Sequence, residues 1–324
     1  MSFRLLPDVA VVRRRELEHP SDAALARATG SGALTRVTPG VFVATSAWQA
    51  LTPIDRHALR VVEAADRARG RIVVSHHAAA AIWGIEVLGG WPPCVETTVG
   101  RSGGGRSTGV FRRHTLTAGD LQTVPWRGHE ITTPAQTALD LARCLDFAAG
   151  VATVDAARWG RRPGGALTDA TQLEEVRACG QARRGDARAQ RALAFSTDLS
   201  DSVRESQSRV LLDQLGFPTP ELQRPIVLAE GGTVRPDFWF PEFDHAGEFD
   251  GTGKYFDPAM LGGRSPRDAL LAEKDRGDRL RRRVRRVSRW RTPDLDDPRR
   301  LYDILTQDGL PSTKPRPPRV LRLR

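Results

Sequence analysis

Residues 233–255 read TVRPDFWFPEFDHAGEFDGTGKY and have the pattern of a β-hairpin. Residues 234–240 are rich in β-forming side chains, and Pro236 is tolerated there if the strand lies at a sheet edge. Breaker residues predict a turn over residues 241–245, and residues 247–250 predict a short second strand. We expect the C-terminal half of the chain to fold around this hairpin.

The hairpin carries acidic side chains at positions that bring them together. Side chains alternate along a strand, so Glu248 and Asp250 lie on one face, and Asp237 on the partner strand can reach it. Neighbouring carboxylates repel one another, and a divalent cation normally relieves that repulsion. Because all these ligand atoms are oxygens, Mg²⁺ or Mn²⁺ is favoured over zinc. The alternative is a plain hairpin whose acids are solvated.

A motif within the hairpin resembles that of a nuclease family. The pair PD at 236–237, followed by EFDG at 248–251 and by Lys254, resembles the core of the PD-(D/E)XK nucleases. The likeness is closest to the branch related to Vsr-type very-short-patch repair endonucleases, and it covers roughly residues 200–305. It implies a restriction-endonuclease-like α/β core and Mg²⁺-dependent cleavage of DNA.

The resemblance also implies roles for individual residues. Asp237 and Glu248 would hold the metal, and Asp250 would either ligate it as well or orient a water. The family's usual lysine, two residues after the second acid, is replaced here by Asp250. The Vsr-like branch also lacks that lysine. Lys254, or Lys274 on the charged helix after the hairpin, is therefore expected to stabilise the transition-state charge.

Glu205 has two interpretations. It follows Ser202 at the spacing of a capping box, at the start of a helix predicted over residues 202–215, and the cap explains this acid without chemistry. The Vsr-like core also begins with a helix whose acidic residue faces the metal, and Glu205 matches that position. Both interpretations stay open at this point.

The charge of the chain points towards a polyanionic partner. The formal net charge is +10 and the isoelectric point is about 10.7, which favours nucleic acid. Almost all the positive charge is arginine, a bias also typical of GC-rich genomes. The distribution is more informative, because eight arginines and no acid lie between Arg279 and Arg291. We expect Arg282, Arg285 and Arg286 to bind DNA phosphates.

The N-terminal residues predict a winged helix. Ser21 can cap a short helix, and residues 33–38 and 41–44 predict two strands around a turn in which Gly40 has positive φ. The segment GALTRVTPGVFVA resembles the wing of AbiEi-type antitoxins, whose N-terminal winged helix binds DNA. Arg27 and Arg36 are then expected to face phosphates. The alternative is a structural cap for the following domain.

Two further segments extend this resemblance to about residues 20–160. SHHAAAAIWG at 75–84 and TTPAQTALDLAR at 132–143 resemble the middle of AbiEi-like proteins. His76 and His77 point to different faces of the predicted helix, so no metal site is expected there. Three distant cysteines indicate a reducing cytoplasm rather than a disulfide framework.

The predicted fold class is α/β, of α+β composition, in four parts. They are a winged-helix-like unit (1–50), an AbiEi-like α+β region (51–197), a Vsr-like nuclease domain (198–308) and a basic tail (309–324) that is disordered or contacts nucleic acid. The predicted function is a Mg²⁺-dependent DNA endonuclease with an N-terminal DNA-binding region. The alternative is a non-enzymatic DNA-binding antitoxin or regulator. DNA is the expected partner, and a protein such as a toxin is a further candidate partner. No membrane association is expected. The oligomeric state stays open.

Overall fold

The computed structural model has mixed helix and strand content, as the predicted fold class requires. It describes residues 2–6, 8–17, 22–100, 107, 109–116, 121–179, 183–228, 231–251 and 266–318. The chain divides into two compact units, Met1–Ser196 and Thr197–Arg324. No helix within the described ranges is long and apolar enough to span a membrane.

The first unit begins with a helix and a small antiparallel sheet. The elements are β1 (Val11–Arg13), α1 (Asp22–Gly30), β2 (Leu34–Thr38) and β3 (Val41–Ala44), and the strands pair in the order β1-β3-β2. Between β2 and β3, Gly40 has φ 71°, a left-handed conformation that glycine adopts without steric cost. The predicted helix and hairpin are present, whereas Ser21, the predicted cap, lies outside the described residues.

The rest of the first unit is a mixed five-stranded sheet with helices packed around it. The strands are β4 (Val73–Val74), β5 (Val95–Gly100), β6 (Phe111–Leu116), β7 (Thr123–Trp126) and β8 (His129–Thr132), in the order β6-β5-β4-β8-β7. The helices are α2 (Thr45–Ala50), α3 (Pro53–Ala65), α4 (His76–Trp83), α5 (Pro134–Cys144), α6 (Phe147–Arg158), α7 (Ala170–Ala178) and α8 (Asp186–Phe195).

One predicted helix of this unit is two helices. The apolar positions Leu139, Ala142 and Leu145 predict a single helix over residues 135–149, but α5 ends at Cys144 and α6 begins at Phe147. The break arises because Asp146 is an N-cap, and its carboxylate accepts the backbone N–H of Ala149 at 2.9 Å. The turn reverses the chain, so that α6 packs against α5.

The second unit is built on a four-stranded sheet in the order β14-β13-β12-β9. Its elements are α9 (Val203–Gln214), β9 (Glu221–Leu222), β10 (Ile226–Val227), β11 (Thr233–Val234), β12 (Phe238–Phe240), β13 (His245–Phe249), α10 (Pro266–Arg283), β14 (Arg286–Trp290), α11 (Thr292–Asp296) and α12 (Pro298–Gln307). β13 is antiparallel to β12 and parallel to β14, and β10 and β11 pair separately.

The hairpin of residues 233–250 differs in detail from its prediction. Its first strand is broken into β11 and β12, and Pro236 lies between them rather than in an edge strand. The break follows because β12 is flanked by β9 and β13, and an interior strand cannot lose a ladder donor. The second strand begins at His245, earlier than predicted, and all of its residues are buried.

The strand β13, with the sequence HAGEF, has few apolar side chains for a buried strand, and Gly247 explains how it packs in the core. A Cβ at this position would lie 2.6 Å from Cη2 of Trp290 and 3.3 Å from Cβ of Phe238. The Trp290 ring is fully buried and lies against the Phe238 ring, with centroids 5.3 Å apart. The Trp290 ring therefore occupies the space that a side chain at position 247 would need.

Part of the C-terminal tail is packed against the core, which corrects the expectation of disorder. The backbone N–H of Thr313 donates to the carbonyl of Gly216 at 2.9 Å, and Nζ of Lys314 donates to the carbonyl of Gln214 at 2.9 Å. These carbonyls lie at the C-terminal end of α9, where the last carbonyls of a helix have no intrahelical donor and favour a cation. Residues 319–324 lie outside the described ranges.

Candidate functional site

Ser202 caps α9 as predicted, but Glu205 closes the capping box one residue early, on the backbone N–H of Asp201 rather than on that of Ser202. Oγ of Ser202 accepts the backbone N–H of Glu205 at 3.2 Å and donates to Oε1 of Glu205 at 3.0 Å, while Oε2 accepts the backbone N–H of Asp201 at 2.9 Å. Only 2% of Glu205 is exposed. The cap accounts for the position of this acid, but its carboxylate has a further contact.

That contact is the side-chain amide of Gln223, which joins two buried acids. Its Nε2 donates to Oε2 of Glu205 at 3.3 Å and to Oδ1 of Asp237 at 3.2 Å. The backbone of Gln223 has φ 51°, a left-handed conformation that costs a non-glycine residue on the order of 1 kcal/mol. Such strain concentrates at functional sites. Sequence reasoning missed Gln223, because no motif marks it and a positive φ leaves no sequence signal at a glutamine.

The hairpin places Asp237 beside Glu248. Phe238 pairs with Gly247 in the antiparallel ladder, so Asp237 lies opposite Glu248 one step further along. Oδ2 of Asp237 accepts the backbone N–H of Phe249 at 2.9 Å. Both acids are buried, with 9% and 5% of their surface exposed. The structure therefore gathers Glu205, Asp237 and Glu248 around the same part of the sheet.

Two arginines neutralise Glu248. Nη2 of Arg276 on α10 lies 3.2 Å from Oε1, and Nη2 of Arg289 on β14 lies 2.8 Å from Oε2. Arg289 is the direct neighbour of Glu248 in the parallel ladder, which fixes its approach. A buried carboxylate is tolerated only when it is paired, and here the pairing comes from guanidinium groups. Neither arginine was identified from the sequence.

Asp250, another predicted site residue, pairs with a different arginine. Asp250 forms an ion pair with Arg291 at 3.0 Å, and both side chains are substantially exposed, so this pair contributes little to stability. Lys274 is exposed on α10. Lys254 lies outside the described residues. The catalytic role expected of either lysine stays a prediction.

The donor atoms suit a hard divalent cation, but their arrangement does not form a ligand set. Both oxygens of Glu248 face guanidinium groups, and both oxygens of Asp237 accept N–H groups. Among the described residues no group of three acidic, histidine or cysteine side chains is placed to hold a metal ion. A cation bound by Asp237 and Glu248 would share these oxygens with the N–H groups and guanidinium groups that already contact them.

The arginine block from Arg279 to Arg291 divides into two sets. In five of its arginines the guanidinium group donates a hydrogen bond within the protein, to a carboxylate or to a backbone carbonyl: Arg279, Arg281, Arg283, Arg289 and Arg291. Arg282, Arg285 and Arg286 are exposed. The three residues predicted to bind phosphates are accessible, and the others are exposed as well except Arg289, which is half-buried. Arg27 on α1 and Arg36 on β2 are also exposed.

The first unit contains a second cluster of titratable side chains. Glu96 is buried and accepts from Nδ1 of His77 at 2.7 Å and from Nε2 of His114 at 3.0 Å. The ring of His76 stacks on that of His114, with centroids 3.7 Å apart. Burial alone would raise the pKa of Glu96, but the hydrogen bonds from His114 and His77 outweigh it and hold that pKa well below its usual range. Sequence reasoning considered only His76 and His77.

Comparison with known proteins gives distant relatives. No family model matches the chain. Two uncharacterised proteins of Mycobacterium tuberculosis, from strains CDC 1551 and H37Rv, are each 33% identical to it over 134 residues. The match covers 41% of this chain and 48% of each relative, so the chain spans about half the length of the relatives it matches. The names of these relatives state no activity.

Proposed function

We propose that the second unit hydrolyses phosphodiester bonds of DNA at the site formed by Asp237 and Glu248. The observation that supports this function is a set of three buried carboxylates: Glu205 and Asp237 share the side-chain amide of a strained Gln223, and Glu248 lies opposite Asp237 in the β12–β13 ladder. A fold gains no stability from clustered buried acids, so such a cluster is typical of a functional site.

The side chains supply two parts of the chemistry. A carboxylate such as Asp237 can orient the attacking water and accept its proton. The guanidinium groups of Arg276 and Arg289 can bind the phosphate by paired hydrogen bonds and stabilise its developing charge. About a third of each arginine side chain is exposed, so solvent and substrate reach them. A bound phosphate would then compete with Glu248 for these two cations.

DNA binding is proposed for both units. The exposed Arg282, Arg285 and Arg286 would contact backbone phosphates. In the first unit, α1 and the β2–β3 hairpin have the outline of a winged helix, and Arg27 and Arg36 are exposed there. The resemblance to AbiEi-type antitoxins supports DNA binding by the first unit. A cytoplasmic location is part of the same proposal. A protein partner such as a toxin belongs to the same proposal.

A second candidate function is DNA binding without cleavage, as in an antitoxin or repressor. One observation favours it: the arginine pairs leave Glu248 stable without a cation. In that case the nuclease-like unit is a scaffold, and the acids and arginines serve only its fold.

One experiment separates the two functions. Full-length protein is incubated with duplex, branched and mismatched DNA under titrated Mg²⁺, titrated Mn²⁺ or EDTA. We expect cleavage, its loss in Asp237→Asn, and its retention in the matched variant Asp198→Asn, since Asp198 is exposed in the same unit. Binding without cleavage under every cation condition establishes the regulator. Cleavage that persists in EDTA excludes the predicted Mg²⁺ or Mn²⁺ dependence.

A further inference from the structure

A pocket rich in arginines lies in the first unit beside the β2–β3 turn. Its volume is about 500 Å³, and it is lined by Arg13, Arg14, Arg15, Arg36, Pro39, Gly40, Val41 and Arg67. We propose that this arginine pocket binds a compact dianionic phosphate, a group found in phosphate monoesters and pyrophosphate. The proposal does not depend on DNA cleavage, and among these residues the sequence analysis proposed phosphate contact for Arg36 alone.

The fold brings the five guanidinium groups together from separate segments. Three consecutive arginines leave the end of β1, and the backbone N–H of Arg14 donates to the carbonyl of Gly40 at 3.0 Å. Arg67, just beyond α3, donates to the carbonyl of Pro39. A Cβ on Gly40 would lie 3.7 Å from both terminal nitrogens of Arg67. That distance is an ordinary van der Waals contact, so the left-handed φ of Gly40, rather than lack of space, accounts for glycine at this turn.

The charges of the pocket are only partly compensated. Arg13 binds the buried Glu63 with Nε at 2.8 Å and Nη2 at 2.6 Å, which fixes one wall. Glu16 lies 3.2 Å from Arg13, and Asp22 pairs with Arg14 at 2.9 Å. Among the residues that the structure describes, three carboxylates thus stand against five arginines, which leaves these groups with a formal charge of +2.

The uncompensated charge comes from Arg36 and Arg67. Neither has a carboxylate partner among the described residues, and both line the pocket. Cations gathered in one concavity repel one another unless an anion joins them. Guanidinium groups match phosphate oxygens in charge and in geometry, and a dianion neutralises the pocket. Because the site is concave and its arginines come from several segments, it also favours a compact anion over the extended phosphodiester backbone of DNA.

The test measures phosphate binding by the full chain without divalent cations. Inorganic pyrophosphate is titrated by calorimetry into the wild type, into Arg36→Gln/Arg67→Gln and into Arg69→Gln/Arg184→Gln. The last variant loses the same charge from exposed arginines outside the pocket. We expect affinity to fall at least about tenfold in the pocket variant alone, which corresponds to roughly 1.4 kcal/mol. Equal affinity in the two double variants, or no binding by the wild type, overturns the proposal.

A second arm identifies the source of the phosphate. Affinity is compared for one duplex carrying either 5′-phosphate or 5′-hydroxyl ends, again with and without Arg36→Gln. This single variant changes an exposed side chain and leaves the contact of Arg67 with Pro39 intact. Tighter binding of the phosphorylated duplex, abolished in Arg36→Gln, assigns the pocket to DNA ends. If pyrophosphate binds but the end phosphate adds nothing, the ligand is a free anion and the pocket assignment stands. If Arg36→Gln weakens both duplexes equally while pyrophosphate does not bind, the pocket contacts internal phosphodiesters and the proposal is wrong.

Discussion

Gly277 on α10 lies directly against Arg289 on β14. A Cβ at position 277 would be 2.4 Å from Nη2 of Arg289, and this same nitrogen lies 2.8 Å from Oε2 of Glu248. Glycine in the interior of a helix costs about 1 kcal/mol relative to alanine. The close approach explains why glycine stands at position 277 although helix propensity disfavours it. At this position α10 leaves room for Arg289, which neutralises the buried Glu248.

The first prediction concerns this close approach. We expect Gly277→Ala to displace Arg289 from Glu248 and to lower the kcat/KM of DNA cleavage by about tenfold, the equivalent of roughly 1.4 kcal/mol. Stability should change less, because the helix gains about 1 kcal/mol of propensity as the ion pair breaks. The measurement is single-turnover cleavage beside urea unfolding.

Gly30→Ala is the matched control for that variant. Gly30 is also helical, at the end of α1, and no atom lies within 4 Å of the Cβ that would be added. The control should leave cleavage unchanged. If Gly277→Ala leaves cleavage unchanged as well, Arg289 has no part in the reaction.

The second prediction concerns Gln223. Gln223→Leu removes the amide that both Glu205 and Asp237 use, and hydrogen bonds to charged groups contribute about 1.5–3 kcal/mol. We expect the free energy of unfolding to fall by about that much. Gln223→Gly also removes the amide but relieves the positive φ, so it should be the less damaging variant.

Cleavage distinguishes a positioning role of Gln223 from a structural one. If the amide positions the acids, both variants lose activity, although Gln223→Gly recovers stability. Activity that tracks stability across the pair would show that Gln223 serves the fold alone.

The third prediction concerns three exposed arginines between the last turn of α10 and the first residue of β14. Replacing Arg282, Arg285 and Arg286 by glutamine should weaken duplex binding at low salt. The slope of log affinity against log salt should become shallower by about 2.7, because each phosphate that the protein no longer neutralises changes the slope by about 0.9. Fluorescence anisotropy at several salt concentrations measures the slope. A slope that stays the same would assign the block to a compositional bias.

The arginine block shows both the reach and the limit of sequence reasoning. A run of cations with no acid predicts a basic surface, and Arg282, Arg285 and Arg286 are exposed. The run does not reveal that Arg289 and Arg291 point back to Glu248 and Asp250, because those acids are distant in sequence and meet them only through the parallel pairing of β13 and β14. Ladder register is a tertiary property.

The candidate site was partly predictable for the same reason. Alternation along a hairpin was enough to place Asp237 beside Glu248, and the capping-box spacing was enough for Ser202 and Glu205. Gln223 was out of reach, because its role depends on a strained backbone and on two acids from other elements. Local sequence patterns predict contacts between residues that are close in sequence. The cluster as a whole could be predicted only from the strand pairing of the folded sheet.

The last prediction concerns acid sensitivity of the first unit. Burial lowers the pKa of His76 to about 4 and, in α3, the pKa of His57 to about 3, from an ordinary value near 6.5. The folded state therefore binds fewer protons than the unfolded state between about pH 6.5 and 4. A depressed pKa contributes stability that is present above the unfolded value and is lost as the pH falls through this window.

We expect the free energy of unfolding of the first unit to fall by about 1.4 kcal/mol per pH unit for each of the two histidines in that window. Glu96, whose pKa is also lowered, adds a further loss only below about pH 4.5. Hydrogen exchange of α3 and α4 peptides, pulse-labelled at one fixed pH after equilibration in urea, reports this unit alone. His57→Phe keeps an aromatic ring beside Trp91, 5.1 Å away in the wild type, but cannot bind a proton. The pH slope of this variant should be shallower by the contribution of one histidine, and a slope that matches the wild type would mean that folding does not lower the pKa of His57.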